Sequence, residues 1–385
     1  MKKKITILRR WILFHIVWPL AFKFYSLKPV DEKLITFAYN KNYTKMPDNL
    51  QFIYDYMKSK GYNCHIAASP QSSIQRIIFG ITFQKYYARS KCVFLTDHFD
   101  PVYAHKPNKG TRVIQLWHAC GAFKKWGFST LHLKWGGTEK DMLRFPMHNT
   151  YTDVFVSAED IIPCYAEAFN CDKGIVKALG TPRTDIYFNK EFTGSCRDEI
   201  LKHFPEIGDR KIILYAPTFR GDNPDESYND KPLDYGMLKE NFGRDYALVV
   251  KLHPFTAEKN KMTEEEKKLY GDFVFDASSL PIETNLCAAD ILIADYSSLI
   301  FEYALLGNKP MLFYAYDLDE YDRDRSFYFE YRSFVPGKIV ATNEEIVKAI
   351  QSGDFEAEKI PQFRQKFMSA CDGHSTERIC EYCLK

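Results

Sequence analysis

The 385-residue chain reads as an α/β protein of two facing Rossmann-like domains. Three observations predict this. Short apolar runs alternate with longer amphipathic segments, the pattern of a parallel sheet covered by its crossover helices. The series runs twice, once before and once after Asp185, in a chain long enough for two cores. Three of the runs stop at His118, at His253 and at Asp295-Tyr296-Ser297-Ser298, and the carboxyl ends of strands are where open α/β sheets place their chemistry.

The first series opens with a strand over 34–39 and a helix over 50–60 that Gly61 ends. A strand over 64–68, a helix over 74–88 and strands over 92–96 and 113–117 follow. Beyond a loop rich in Gly and Lys come strands over 154–157 and 175–178, flanking a helix over 160–169. The second series holds a helix over 197–204 and a strand over 211–216. A polar loop over 220–231 is expected to be mobile because Asp, Asn and Pro crowd it. Strands over 247–252, 273–275, 291–294 and 311–314 complete the sheet. The expected division is a leading segment 1–28, domains over 29–188 and 189–360 with a hinge near 186–196, and a last helix within 361–385 that crosses back.

Net charge is +2 and the chain holds 25 Tyr and 30 Phe. It is no polycation, which argues against a nucleic-acid partner. The ten Cys are scattered apart from Cys380-x-x-Cys383, which lacks the second pair of a zinc site. Reduced, mostly buried thiols in a cytosolic compartment are expected. At the N-terminus, Lys2, Lys3, Lys4, Arg9 and Arg10 precede an apolar run, 11–22, with Trp11 and Trp18. That run is shorter than the roughly 18–20 residues of a membrane span and has no signal-cleavage site. Basic and aromatic residues around a short apolar body suit a peripheral segment in the cytoplasmic face of the cell membrane. A helix packed on the protein's own surface is the alternative.

His118 ends its strand as a neutral imidazole suited to take a proton near pH 7, with Trp117, Ala119 and Cys120 around it and Lys124 and Lys125 nearby to attract phosphate. Lys251 and His253 lie two apart and share a side if the strand persists, which suits a pyrophosphate. Ser297 or Ser298 caps a helix that Gly307 ends, and free N–H groups and hydroxyls at such a start form an anion site. Glu302, one turn on, reaches for ribose hydroxyls. The turns Gly180-Thr181-Pro182-Arg183-Thr184-Asp185 and Ala216-Pro217-Thr218-Phe219-Arg220 each present an Arg fork for phosphate. Each of these motifs also has a plain structural reading as a turn, a cap or a satisfied core polar group. Asp317-x-Asp319 looks like a metal pair in a stretch with many spare charges, and no metal or cofactor site is expected. No glycine-rich dinucleotide or Walker sequence is present, which speaks against dehydrogenase and NTPase chemistry.

Together these motifs resemble the CDP-glycerol glycerophosphotransferase family, the teichoic acid primases and polymerases of Gram-positive bacteria. The matching pieces are Trp117-His118, Gly180 to Asp185, Ala216 to Arg220, Lys251-Leu252-His253-Pro254 and Asp295 to Ser298, with looser agreement at Phe313 to Phe329 and Asp372 to Arg378. The resemblance implies a GT-B fold, a CDP-alditol donor, a polyprenyl-linked or glycopolymer acceptor and monotopic membrane association. It makes His118 the general base and His253, with Lys251, the stabiliser of the pyrophosphate and the departing CMP. Arg183, Pro217, Thr218, Ser297, Ser298 and Glu302 become donor contacts, with Asp185, Arg220 and Asp295 in the same turns. One departure is Ala119-Cys120-Gly121 where relatives often carry Gly-Thr-Pro; another is Glu302 in place of a frequent Asp. The expected reaction is attack of an acceptor hydroxyl on the β-phosphorus of CDP-glycerol or CDP-ribitol. Two rivals stand beside it: a GT-B glycosyltransferase using a nucleotide sugar, and a membrane-bound assembly partner without turnover.

Overall fold

A computed structural model describes residues 2–133, 136–221 and 233–385. From residue 222 on, the expected polar loop lies outside these. The chain forms two compact units, Met1–Gly121 with Trp126–Asp185 and Ser369–Lys385, and Ala122–Lys125 with Ile186–Met368.

The first unit holds one sheet of strands β1 (Asp31–Tyr39), β2 (Asn63–Ala68), β3 (Ser90–Leu95), β4 (Arg112–Gln115), β5 (Asp153–Phe155) and β6 (Val176–Lys177). Their order is β2-β1-β3-β4-β5-β6, and every pairing is parallel. The order reverses between β1 and β3, a topological switch point of the kind that binds ligands. β1 is buried without a break from Leu34 to Tyr39, as expected of a strand covered on both faces. One layer packs Ile35, Phe37 and Phe94 under Leu50, Ile53 and Met57 of helix Asp48–Ser59.

Ile379, Cys380 and Cys383 join that core from helix Ser375–Leu384. Burial raises the pKa of both thiols, so the Cys-x-x-Cys pair is packing material. The single helix expected over 361–384 is two, Ile360–Phe367 and Ser375–Leu384, the first in the second unit and the last in the first. Asp372-Gly373 separates them, with Gly373 at φ 89°, where a continuing helix is impossible.

The second unit carries β7 (Lys211–Tyr215), β8 (Tyr246–Val250), β9 (Val274–Asp276), β10 (Ile291–Ala294), β11 (Met311–Tyr314) and β12 (Lys338–Val340). The order β12-β11-β10-β7-β8-β9, all parallel, is that of a dinucleotide-binding sheet read from its far edge. β12 lies outside the strands expected from sequence.

The N-terminal segment departs from expectation in length. Helix runs from Lys2 to Tyr25 through a π turn, Leu13–Val17, just before Pro19, whose ring and missing N–H disturb a regular ladder. Ile5–Tyr25, 21 residues, is long and apolar enough to cross a membrane by length and composition alone. One face is nevertheless committed to the protein: Phe14, Trp18 and Phe22 are buried, Phe22 against Tyr87 and His105. The other face exposes Ile5, Leu8, Ile12, Ile16, Leu20, Phe24 and Leu27, a stripe at helical spacing.

Candidate active site

In the first unit β4 ends at Gln115, and Trp117 turns the chain with φ 56°, a strained value for a non-glycine residue. Two hydrogen bonds hold it there. The Trp117 N–H donates to Gln115 Oε1 (2.9 Å) and Asn49 Nδ2 donates to the Trp117 carbonyl (2.9 Å). The indole lies 4.4 Å from the His118 ring, centroid to centroid, and stacks on Trp126.

His118 keeps contact with solvent, yet the protein around it lowers its pKa chiefly by desolvation. Asp97 opposes, Arg183 adds to the lowering, and a ring hydrogen bond to the Thr96 backbone opposes again. Ala119 accepts from the Tyr165 hydroxyl (3.0 Å), and Cys120 is buried.

The turn after β6 works largely as scaffolding. Gly180 sits at φ +95°, and a Cβ there would lie 2.2 Å from Ser375 Oγ and 2.4 Å from the Ala370 carbonyl. Asp185 caps helix Ser375–Leu384, accepting from the N–H groups of Ser375 (3.0 Å) and Thr376 (2.8 Å). Arg183 Nη1 donates to the His118 carbonyl (3.2 Å). Gly180→Ala is therefore expected to lower stability by about 3 kcal/mol, through left-handed strain and the displaced helix start; urea unfolding measures it.

Two residues here escaped the sequence reading. Asn49, 2% exposed, donates to Trp117 and accepts from the Arg183 N–H (2.9 Å), tying the His118 turn to the Arg183 turn. Asp97 follows β3 and accepts from Asn40 Nδ2 (2.9 Å). The strand-end argument applied to His118 also points to Asp97, whereas nothing local marks Asn49. Asn49→Ala should cost about 1–3 kcal/mol, because it leaves two partly buried backbone groups unpaired. It should also lower kcat at least tenfold at nearly constant donor KM, measured by product release beside a melting curve. A stability loss alone would make Asn49 purely structural.

In the second unit β8 ends at Val250, so the alternation expected to align Lys251 with His253 does not persist. Lys251 Nζ instead donates to the carbonyls of Ser278 and Leu280, both at 2.6 Å. His253 packs its ring 4.8 Å from Phe219. Desolvation first, then the charges of Lys124 and Lys251, lower its pKa, which favours the uncharged ring. Lys124 belongs to this unit, with Nζ 3.2 Å from the Tyr321 hydroxyl.

The exits of β7 and β10, at the switch point of this sheet, are bound through Asp295. Its carboxylate accepts from the N–H groups of Thr218 (2.9 Å) and Tyr296 (2.6 Å) and from Arg220 Nη1 (3.0 Å). Arg220, expected to hold phosphate, spends its fork on Asp317: Nε donates at 2.7 Å and Nη2 at 3.0 Å. The Tyr296 hydroxyl also donates to Asp317 (2.8 Å). Asp317 is thus occupied by protein donors, which accounts for half of the Asp-x-Asp pair.

Ser298 precedes helix Leu299–Tyr303, only five residues long, without a side-chain cap; Ser297 Oγ accepts from Leu299 N at 3.4 Å. Glu302 is 1% exposed and accepts from the Tyr187 hydroxyl (3.2 Å), so it is walled in and not open to a ribose. The buried Thr218 hydroxyl beside Pro217 has no partner among the described residues, which leaves it a bond to offer a ligand.

The chain matches, over residues 20–385, the family model described as CDP-glycerol:poly(glycerophosphate) glycerophosphotransferase. It is 35% identical over 378 residues to the teichoic acid ribitol-phosphate primase of Bacillus spizizenii, covering 95% of each chain. It is 34% identical to the teichoic acid poly(ribitol-phosphate) polymerase of the same organism, covering 96% of this chain but only 58% of that one. The teichoic acid glycerol-phosphate primase of Bacillus subtilis is 32% identical, with 76% and 73% covered. The solved wall teichoic acid polymerase TagF superposes with a TM-score of 0.75 over 99% of this chain and 96% of that one at 22% identity, which establishes the GT-B-like fold. By sequence, the chain belongs to the CDP-glycerol:poly(glycerophosphate) glycerophosphotransferase family.

Proposed function

We propose that the chain transfers an alditol phosphate, in the first reading glycerol phosphate, from a CDP-alditol to a hydroxyl of a lipid-linked or polymeric cell-envelope acceptor, releasing CMP. The observation that carries this is His118: an imidazole just past a strand end, open to solvent, with its pKa lowered by the protein around it. His118 accepts the acceptor's proton as that oxygen bonds to the β-phosphorus. The bond from the β-phosphorus to the bridging oxygen breaks, and CMP leaves with its electron pair. His253 donates a hydrogen bond to the charge that develops on the phosphates. Arg183, Thr218 and Ser298 supply further donors.

A second reading, ribitol phosphate as the transferred group, is favoured by the 35% identity with the ribitol-phosphate primase. The test is CMP release from CDP-glycerol and from CDP-ribitol with a membrane-derived acceptor, beside UDP release from sugar nucleotides. CMP from one donor names the alditol, and UDP alone overturns the transfer reading.

The site of action is the cytoplasmic face of the membrane, where the exposed stripe from Ile5 to Leu27 lies in the interface with the exposed Arg9 beside the headgroups. Leu8→Glu with Leu20→Glu should shift the protein from the membrane to the soluble fraction. Sedimentation after cell lysis reads this out, and unchanged pelleting would count against the stripe.

A further inference from the structure

A second constellation in the first unit takes no part in the chemistry above. A cavity of about 350 Å³ opens between the N-terminal helix, helix Ser73–Tyr87 and the carboxyl ends of β1, β2 and β3, at the switch point of the sheet. Arg9, Arg10, Lys41 and Arg76 line it, with Asp100 as its one carboxylate. Asp100 is already engaged by Arg10 (2.9 Å) and His98 (2.8 Å). Arg9, Lys41 and Arg76 form no ion pair among the described residues, and Arg10 Nε is buried without a partner among them. Like charges gathered round a concavity repel one another unless an anion sits among them.

Leu13, Ile77 and Phe99 give the cavity apolar wall, interleaved with the polar Thr6, Asn40, Ser69 and Ser73. The two helices that flank the cavity turn Ile5, Leu8, Ile12, Ile74 and Ile78 to solvent, so its rim is a surface suited to lipid. Asn40 lines the cavity and donates to Asp97, the carboxylate whose field acts on His118. Ends of β1 and β4 lie two strand spacings apart, about 10 Å.

We infer that this cavity binds the phosphate head of a membrane lipid, a polyprenyl mono- or diphosphate, and so holds the acceptor with its glycan directed along the strand ends toward His118. The inference rests on the reading of the acceptor as lipid-borne. Cations select the head, the apolar part of the wall receives the first isoprene units, and the glycan has to reach from the end of β1 past that of β4, two strand spacings or about 10 Å away.

The test is flotation of the full chain with three vesicle types: phosphatidylcholine alone, phosphatidylcholine with phosphatidylglycerol at matched surface charge, and phosphatidylcholine with a polyprenyl diphosphate. The expected result is at least tenfold tighter binding to the third than to the second. The double variant Arg76→Gln, Lys41→Gln should lose that preference and still float with phosphatidylcholine; Arg9→Gln, checked for an unchanged melting curve, serves as the second variant. Equal binding to both anionic vesicles, or a preference that survives both variants, overturns the site. Inorganic diphosphate binding the lipid-free protein as tightly as the vesicle head would assign the cavity to a soluble phosphate and overturn the lipid source. No donor enters this assay. A protein that releases no CMP from any CDP-alditol would therefore sink the transfer reading while leaving the flotation result standing.

Discussion

Replacing His118 by alanine is expected to lower kcat by about 10²–10⁴, the usual worth of a positioned general base, while donor KM stays within about threefold of its original value. The ring faces solvent, so folding should survive its loss, and circular dichroism checks this. The pH profile gives an independent reading. In the proposed mechanism the acting form is the neutral ring, and desolvation by the surrounding protein lowers its pKa below the ordinary 6.5 of histidine. Neutral imidazole therefore persists as pH falls through 6.5, and kcat/KM should hold level there and decline only at lower pH. An acid limb centred at or above 6.5 would remove His118 from the role. Parallel loss of donor binding and turnover would reassign it to structure.

Arg220→Met is expected to be the most destabilising single change in the second unit, by about 3–5 kcal/mol. Arg220 is 7% exposed and bridges Asp295 and Asp317. Without it two carboxylates stay close together with no counter-charge, and the exits of β7 and β10 lose their shared anchor. For a unit of this size each kcal/mol moves the melting midpoint by about 2–4 °C, so a fall of roughly 6–20 °C is expected in calorimetry. Arg220→Lys should recover only part of it, because an ammonium cannot hold Asp317 in a fork and reach Asp295 as well. A midpoint unchanged in Arg220→Met would show that the network carries no net stability.

Both predictions concern residues visible in the sequence, but visible for different reasons. Strand ends were legible because burial on both faces writes a strand as an unbroken apolar run, and the first polar residue after it marks the exit. His118, Asp295 and the two-sheet architecture follow from that rule. What each exit residue does was less legible, because its partners come from distant segments. Arg220 looks like a phosphate fork until Asp317, 97 residues on, occupies it; Asp185 looks like a ligand until Ser375 and Thr376 arrive to be capped. Lys251 failed for a local reason, since the strand stopped one residue too early for alternation to aim it. Asn49 carries no signal at all, being a polar residue in the first turn of an ordinary amphipathic helix.

The path of the chain between its two units has a consequence during synthesis. The first unit takes its last helix, Ser375–Leu384, from beyond the whole of the stretch Ile186–Met368. At about 5–20 residues per second, that stretch takes roughly 10–40 s to emerge from the ribosome. For that interval Cys92, Ile114 and Phe155 wait with an uncovered apolar groove, and Gly180 and Asp185 hold a socket with nothing in it. A nascent chain in this state is expected to bind a holding chaperone until helix Ser375–Leu384 has emerged and docked.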